Sequence, residues 1–279
     1  MYESGLTTDQ SQLISSVTEL LRVPRAGLIT DVDGTIAPIV ERPENAAVLP
    51  EARGALDSLR GHVALVAVVS GRRAADARRM VGLEGLAYIG NHGLEVWTGH
   101  HTEIVAEARP WVPRLEAALA AIQERVQRPG LLVENKGVTA SLHYRAADDP
   151  AAARAEILAA LAAAVPTRGL RVEEGRMVLN LLPPLTVTKG SAVRWLTREH
   201  HLRSLVYLGD DLTDAHAFGA LKVMRARGEA HALSIGVVGP ETPPGVRQLA
   251  DATVPSETCV AKLLCAVADV LAPSRGGRI

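Results

Sequence analysis

Leu28-Ile29-Thr30-Asp31-Val32-Asp33-Gly34-Thr35 runs from an apolar strand into a turn and leaves two carboxylates, two residues apart, at the strand's end. Asp33-Gly34 marks the turn, and in an α/β sheet ligands bind in the crevice at the carboxyl ends of the strands. The layout suits attack on a phosphate. Asp31 is placed to take a phosphoryl group as an aspartyl phosphate, and Asp33 to protonate the departing oxygen and then activate water. Gly34 lets the backbone approach the anion. Turn chemistry alone would also put Asp and Gly here, so the stretch needs support from elsewhere. A calcium loop is set aside, because it wants an oxygen ligand at the fifth position and Gly at the sixth, where this chain has Thr35 and Ile36.

Support comes from Leu205-Val-Tyr-Leu-Gly-Asp210-Asp211-Leu-Thr-Asp214, which again leads an apolar strand into acids. Asp211 or Thr213 could cap the following helix, but capping needs one acid, not three. Three acids within five residues repel each other unless a cation sits among them, and an oxygen-only set beside a phosphate suits Mg²⁺. Lysine use is a further clue: the chain has four lysines among 30 basic residues, so arginine supplies ordinary surface charge. Lys189 stands before the helix-like run from Ser191, where an ammonium and a helix N-terminus together neutralise a phosphate oxygen. Ala64-Leu-Val-Ala-Val-Val-Ser70-Gly71-Arg72 reads as a buried parallel strand ending in a hydroxyl that can donate to phosphate.

In order and spacing these four stretches resemble the haloacid dehalogenase superfamily of phosphatases. Within it the chain resembles the trehalose-6-phosphate phosphatase family, through Gly90-Asn-His-Gly-Leu-Glu95, Glu134-Asn-Lys-Gly137, Leu142-His-Tyr-Arg145 and Gly209-Asp-Asp-Leu-Thr-Asp214. The resemblance covers about Leu28 to Ala272. It implies an α/β fold: a doubly wound parallel-sheet core with an inserted αββαββ cap of the C2B-like type. Asp31, Asp33, Ser70 and Lys189 are then the expected catalytic residues, and Asp31, Asp33, Asp210, Asp211 and Asp214 the expected Mg²⁺ site. The substrate, a small-molecule sugar phosphate, is expected to meet Gly71, Arg72, Asn91, His92, Glu95, Glu134, Lys136 and Asn180.

The expected reaction is Mg²⁺-dependent hydrolysis of a disaccharide phosphate, with trehalose 6-phosphate ranked first. A related pseudo-disaccharide or other sugar phosphate is the alternative, and a catalytically silent binding module is the non-enzyme alternative. One departure bears on the sugar. The family pattern G-K-x-V-x-E-x-R-P meets Gly175-Arg-Met-Val-Leu-Asn180-Leu-Leu182-Pro183 here, with Asn in place of Glu and Leu in place of Arg.

A net charge of −1 with the two signs interspersed, and aromatics at 3%, do not favour nucleic acid. The first residues lack a basic, then apolar, leader pattern, and the longest apolar run is too short for a bilayer, so a soluble, cytoplasmic protein is expected. The sequence leaves the oligomeric state open and is compatible with a monomer. Cys259 and Cys265 sit six apart on a helix-like segment and should not pair.

Strand and helix patterns alternate through residue 106, expected as the first part of the core. The segment 107–183 reads αββαββ, and 184–279 returns to the core pattern. Expected elements include helices at 8–21, 50–59, 73–81, 112–126, 150–165, 191–199, 215–221 and 257–271. Strands are expected at 27–32, 63–69, 86–89, 131–134, 139–145, 170–173, 177–182, 205–208 and 233–238. His100-His101 and His200-His201 read as adjacent pairs on strands, pointing opposite ways and unsuited to a metal. The tail from Pro273 is expected to fray.

Overall fold

The structure, a computed structural model, describes residues 7–272 apart from 41, 165, 166, 168, 176 and 241. The tail from Pro273 and Arg176 of the quoted cap strand lie outside the described residues. Helix α1 (Thr7–Arg22) packs its apolar stripe inward through Val17 and Leu21. Strand β1 (Ala26–Thr30), all five residues of it buried, begins the sheet; α2 (Pro50–Leu59), β2 (Leu65–Val69), α3 (Ala74–Val81) and β3 (Ala87–Gly90) follow. Continuous apolar strands of this kind are those covered on both faces by helices.

Next come β4 (Glu95–Trp97) and β5 (Thr102–Ile104), then α4 (Val112–Arg125), β6 (Leu132–Asn135), β7 (Ala140–His143), α5 (Pro150–Ala163), β8 (Arg171–Gly175) and β9 (Val178–Leu182). The chain closes with α6 (Lys189–Glu199), β10 (Ser204–Gly209), α7 (Leu212–Ala226), β11 (His231–Val237), α8 (Pro244–Leu249), β12 (Ala252–Val254) and α9 (Glu257–Leu271).

The larger sheet has the order β12-β11-β10-β1-β2-β3-β4-β5. All its pairings are parallel except β3–β4 and β4–β5. The chain leaves β1 toward β2 and β3, then returns on β1's other side through β10, β11 and β12. The order therefore reverses at β1, and a crevice opens at the carboxyl ends of β1, β2 and β10. Asp31, Ser70 and Asp210 each stand one residue past those strands.

The smaller sheet, β6-β7-β9-β8, is antiparallel throughout. Leu142, Leu179 and Leu181 on one face are buried with Leu115 and Ile122 of α4 and Ile157 of α5. Its element order is the expected αββαββ.

Several expectations need correction. The hairpin β4–β5 is absent from the sequence reading because its strands are three residues long and flank a Gly-His-His turn. His100 and His101 lie in that turn and His200 and His201 at the end of α6, so neither pair is on a strand. Helix α7 begins three residues early, since Asp211 caps it and Asp214 completes a capping box. Helix α6 likewise begins at Lys189, capped reciprocally by Thr188 and Ser191. Both cysteines are free on α9.

Candidate active site

Asp31 is 5% exposed, and its Oδ2 lies 2.8 Å from Lys189 Nζ. The same ammonium donates to Asp214 Oδ1 at 2.8 Å. Asp214 also accepts from the Tyr207 hydroxyl at 2.6 Å, and its Oδ2 takes the backbone N–H groups of Asp210 and Asp211, each at 3.1 Å. Both of its oxygens are thus engaged by protein donors, and its part is to place Lys189. Gly34, at φ +74°, is required twice over: a Cβ there would sit 2.2 Å from Asp210 Oδ2 and fill the space between the first and last acidic loops.

Asp31, Asp210 and Asp214 bring one carboxylate oxygen each within 4.8 Å of one another. Three buried carboxylates around one ammonium leave an excess of negative charge that costs free energy unless a cation joins them. Two further observations agree. Asp31 Oδ1 is buried with no hydrogen-bond partner among the described residues. Burial pushes the Asp31 carboxyl up to about 7 even though Lys189 pulls it down. At Lys189 burial works against the charge, but Asp214 and Asp31 outweigh it and hold the ammonium protonated. The residues fit a hard divalent cation, with Asp31 and Asp210 the better donors because Asp214 is already saturated.

Asp33 is held differently. Arg72 grips it with both ends of the guanidinium, Nε to Oδ2 and a terminal nitrogen to Oδ1, each at 2.7 Å. Ser70 at the end of β2 is buried, and its Oγ accepts the Arg72 N–H at 3.2 Å. The His92 ring lies against this turn, and a Cβ on Gly71 would be 2.6 Å from its Cε1, so only glycine fits. Burial first, then Lys189 and Lys136, lower the His92 pKa well below its usual range, so the ring stays neutral.

The smaller sheet reaches in from above. Lys136 Nζ donates to the Gly71 carbonyl at 3.2 Å and lies 3.5 Å from Glu134, whose other neighbour is His143 at 3.1 Å. Together these groups, Asn180 and the acidic loops line a cavity of about 180 Å³.

The placement of the expected residues divides. Asp31, Asp33, Ser70, Gly71, Arg72, His92, Glu134, Lys136, Asn180, Lys189, Asp210 and Asp211 all line the cavity. Asn91 and Glu95, expected to meet substrate, do not: they are 0% and 1% exposed and belong to the scaffold. Asn91 donates to the Lys136 carbonyl at 3.1 Å and accepts from Thr139, tying the larger sheet to the β6–β7 hairpin. Glu95 accepts the Ala74 N–H at 3.0 Å where α3 starts. Asp33, expected at the metal through its backbone carbonyl, has its carboxylate on Arg72, and Asp211, expected with Asp214 to position waters or Lys189, caps the start of α7. Tyr207, Ser141 and His143 were not anticipated. Tyr207 sits in a strand where every residue is buried, so periodicity gives no sign of where its hydroxyl points. His143 stands in the quoted Leu142–Arg145 motif, which was a usable signal.

A doubly wound sheet with paired aspartates after β1, a hydroxyl after β2, a lysine at α6 and acids after β10 defines a haloacid dehalogenase fold. A family model described as trehalose-phosphatase matches residues 29–239, and the chain belongs to that family. A trehalose-phosphate phosphatase of Mycobacterium marinum is 39% identical over 214 residues, 72% of this chain and 53% of that one. A Mycobacterium tuberculosis protein named as an uncharacterized glycosyl hydrolase is 36% identical over 226 residues, 77% of this chain but 17% of that one. The chain therefore spans about half the length of the curated phosphatases it matches. Among solved structures, the C-terminal domain of C. albicans trehalose-6-phosphate phosphatase superposes with a TM-score of 0.77 at 21% identity, over 96% of this chain and 99% of that one. No helix among the described residues is long and apolar enough to cross a membrane.

Proposed function

We propose that the protein hydrolyses a disaccharide phosphate monoester, trehalose 6-phosphate before others, through an aspartyl phosphate on Asp31 with Mg²⁺ as cofactor. The observation that carries this is the buried, unpartnered Oδ1 of Asp31 beside Lys189 and Asp210. A carboxylate oxygen left without a donor in a buried site is costly unless a ligand completes it. Asp31, Asp210 and the Asp33 backbone carbonyl are the groups to hold Mg²⁺. When bound, Mg²⁺ offsets phosphate charge next to carboxylates and keeps the reacting groups in line.

In the first step a carboxylate oxygen of Asp31 bonds to phosphorus, the bond from phosphorus to the sugar oxygen breaks, and the Asp33 carboxyl gives its proton to that oxygen. In the second, the Asp33 carboxylate takes a proton from water as its oxygen attacks phosphorus, the bond to Asp31 breaks, and phosphate leaves. Lys189 stabilises the added charge on the phosphoryl oxygens, with the Ser70 hydroxyl as a further donor. Both oxygens of Asp33 are engaged by Arg72 in the free protein, so Arg72 must let go before Asp33 can serve. Glu134, Lys136 and neutral His92 hold the sugar.

A pseudo-disaccharide phosphate is the second reading, favoured by Asn180, whose neutral amide offers donors that a Glu would not. The test is phosphate release with Mg²⁺ from trehalose 6-phosphate, glucose 6-phosphate and a validoxylamine-type phosphate. The expected order of kcat/KM places trehalose 6-phosphate first. A higher value for the validoxylamine-type phosphate would shift the assignment to the second reading, and no release from any of them would end the phosphatase proposal.

A further inference from the structure

Glu173 has no role in the site as described so far, yet its position gives it one. Directly opposed residues of an antiparallel sheet share a face. The pairs Glu134 with Ser141, Ser141 with Asn180 and Asn180 with Glu173 therefore make one row across all four strands of the smaller sheet. That row faces the catalytic loops, because Glu134, Ser141 and Asn180 line the cavity while Leu142, Leu179 and Leu181, of the other parity, are buried against the helices.

Strand β8 obeys the same parity. A Cβ on Gly175, two residues beyond Glu173, would come within 3.8 Å of Asp211 Oδ2. Arg171, two residues before it, reaches the Leu185 carbonyl in the return to the core and adds to the positive field on His92. Glu174, on the opposite face, turns instead to Arg154 of α5.

The row thus ends in a carboxylate at each edge, three strand spacings or about 14 Å apart, enough for more than one sugar ring. Its middle is neutral: the Ser141 hydroxyl donates to Asn180 Oδ1 at 2.7 Å. Arg171 pairs with Glu173 and stands directly opposite Leu182. The Glu and Arg that the family pattern has at 180 and 182 on β9 are matched here by Glu173 and Arg171, one strand away on β8.

We propose that Glu173, oriented by Arg171, is the second carboxylate of the sugar site and selects the substrate by accepting hydroxyl protons from the ring farther from Glu134. This rests on the disaccharide-phosphatase reading above. Hydrogen bonds to a charged acceptor are stronger than those to a neutral one, so the substitution with the clearest readout is Glu173→Gln, which keeps the shape.

The quantity to measure is the ratio of kcat/KM for trehalose 6-phosphate to that for p-nitrophenyl phosphate, which has no sugar. In Glu173→Gln the ratio should fall about tenfold, chiefly through KM for the sugar phosphate. Glu173→Asp should be intermediate, and adding Asn180→Glu to Glu173→Gln should recover part of the loss. Glu174→Gln, on the same strand but the other face, should leave the ratio at the parent's value. A Glu173→Gln ratio within about twofold of the parent, or an equal loss on both substrates, would show a structural role and overturn the proposal. If the parent cleaves p-nitrophenyl phosphate but no disaccharide phosphate, the reading beneath it fails and this assignment falls with it.

Discussion

At Lys189 one ammonium faces Asp31 and Asp214, each at 2.8 Å, inside a site that leaves the lysine 2% exposed. Removing one partner of a buried ionic cluster leaves the others uncompensated, at a cost of about 3–5 kcal/mol. Lys189→Ala should lose stability of that order in urea unfolding, and Mg²⁺ should stabilise the parent in the same assay. A loss under about 1 kcal/mol would mean the carboxylates are not the charged set described here. At this scale the sequence is readable where a polar residue stands at the end of a strand or the start of a helix: Asp31, Ser70 and Asp210 follow their strands and Lys189 opens α6, as their patterns indicate. It is less readable where a polar residue is buried for packing. Asn91 and Glu95 share the Gly90–Glu95 motif with His92, yet His92 alone of the three reaches the cavity, and nothing in their spacing separates a strut from a ligand.

Among the elements, the β6–β7 hairpin carries charges that line the cavity, and Glu134 is its one acid. Burial opposes its ionisation, but the His143 hydrogen bond and then Lys136 outweigh burial and hold the carboxyl down to about 2. A carboxyl depressed on folding stabilises the native state above its unfolded pKa and loses that contribution as pH falls through the folded value. The stability gap between the parent and Glu134→Gln should accordingly be full near pH 5 and shrink between about pH 4.5 and about pH 2. A gap that widened over that range would contradict the placement of Glu134 beside His143 and Lys136. The helices with long apolar stripes, such as α2 and α9, begin and end where their patterns say. The short strands β4, β5 and β12 carry too few residues for alternation to register, and pairing to a neighbour already in place is what forms them. The early starts of α6 and α7 come from reciprocal side-chain capping, in which Asp211 and Asp214 both cap a helix and shape the acidic loop.

For the molecule as a whole, the reversal of strand order at β1 gathers three strand ends into one crevice, and the smaller sheet covers it with the face that carries Glu134, Ser141, Asn180 and Glu173. On the function proposed above, chemistry and selection fall to different sheets, so substitutions at Glu173 of β8 and Asn180 of β9 should change the substrate ratio and substitutions at Asp31 or Asp33 should remove turnover altogether. The order of motifs along the chain discloses the core and the insertion. The cross-strand register that sets Glu173 beside Asn180 is a matter of tertiary pairing, and no local pattern discloses it. The central claim is that Asp31 carries the phosphoryl group. Its most direct test is acid-quenched mass spectrometry of Asp33→Asn, in which the second step lacks its base, after mixing with Mg²⁺ and p-nitrophenyl phosphate, whose leaving group departs without the proton that Asp33 gives to a sugar oxygen. A phosphoryl adduct on the peptide bearing Asp31, missing when Mg²⁺ is withheld and in Asp31→Asn, is the predicted result; turnover by the parent with no such adduct, or by Asp31→Asn within about tenfold of the parent, would contradict the account.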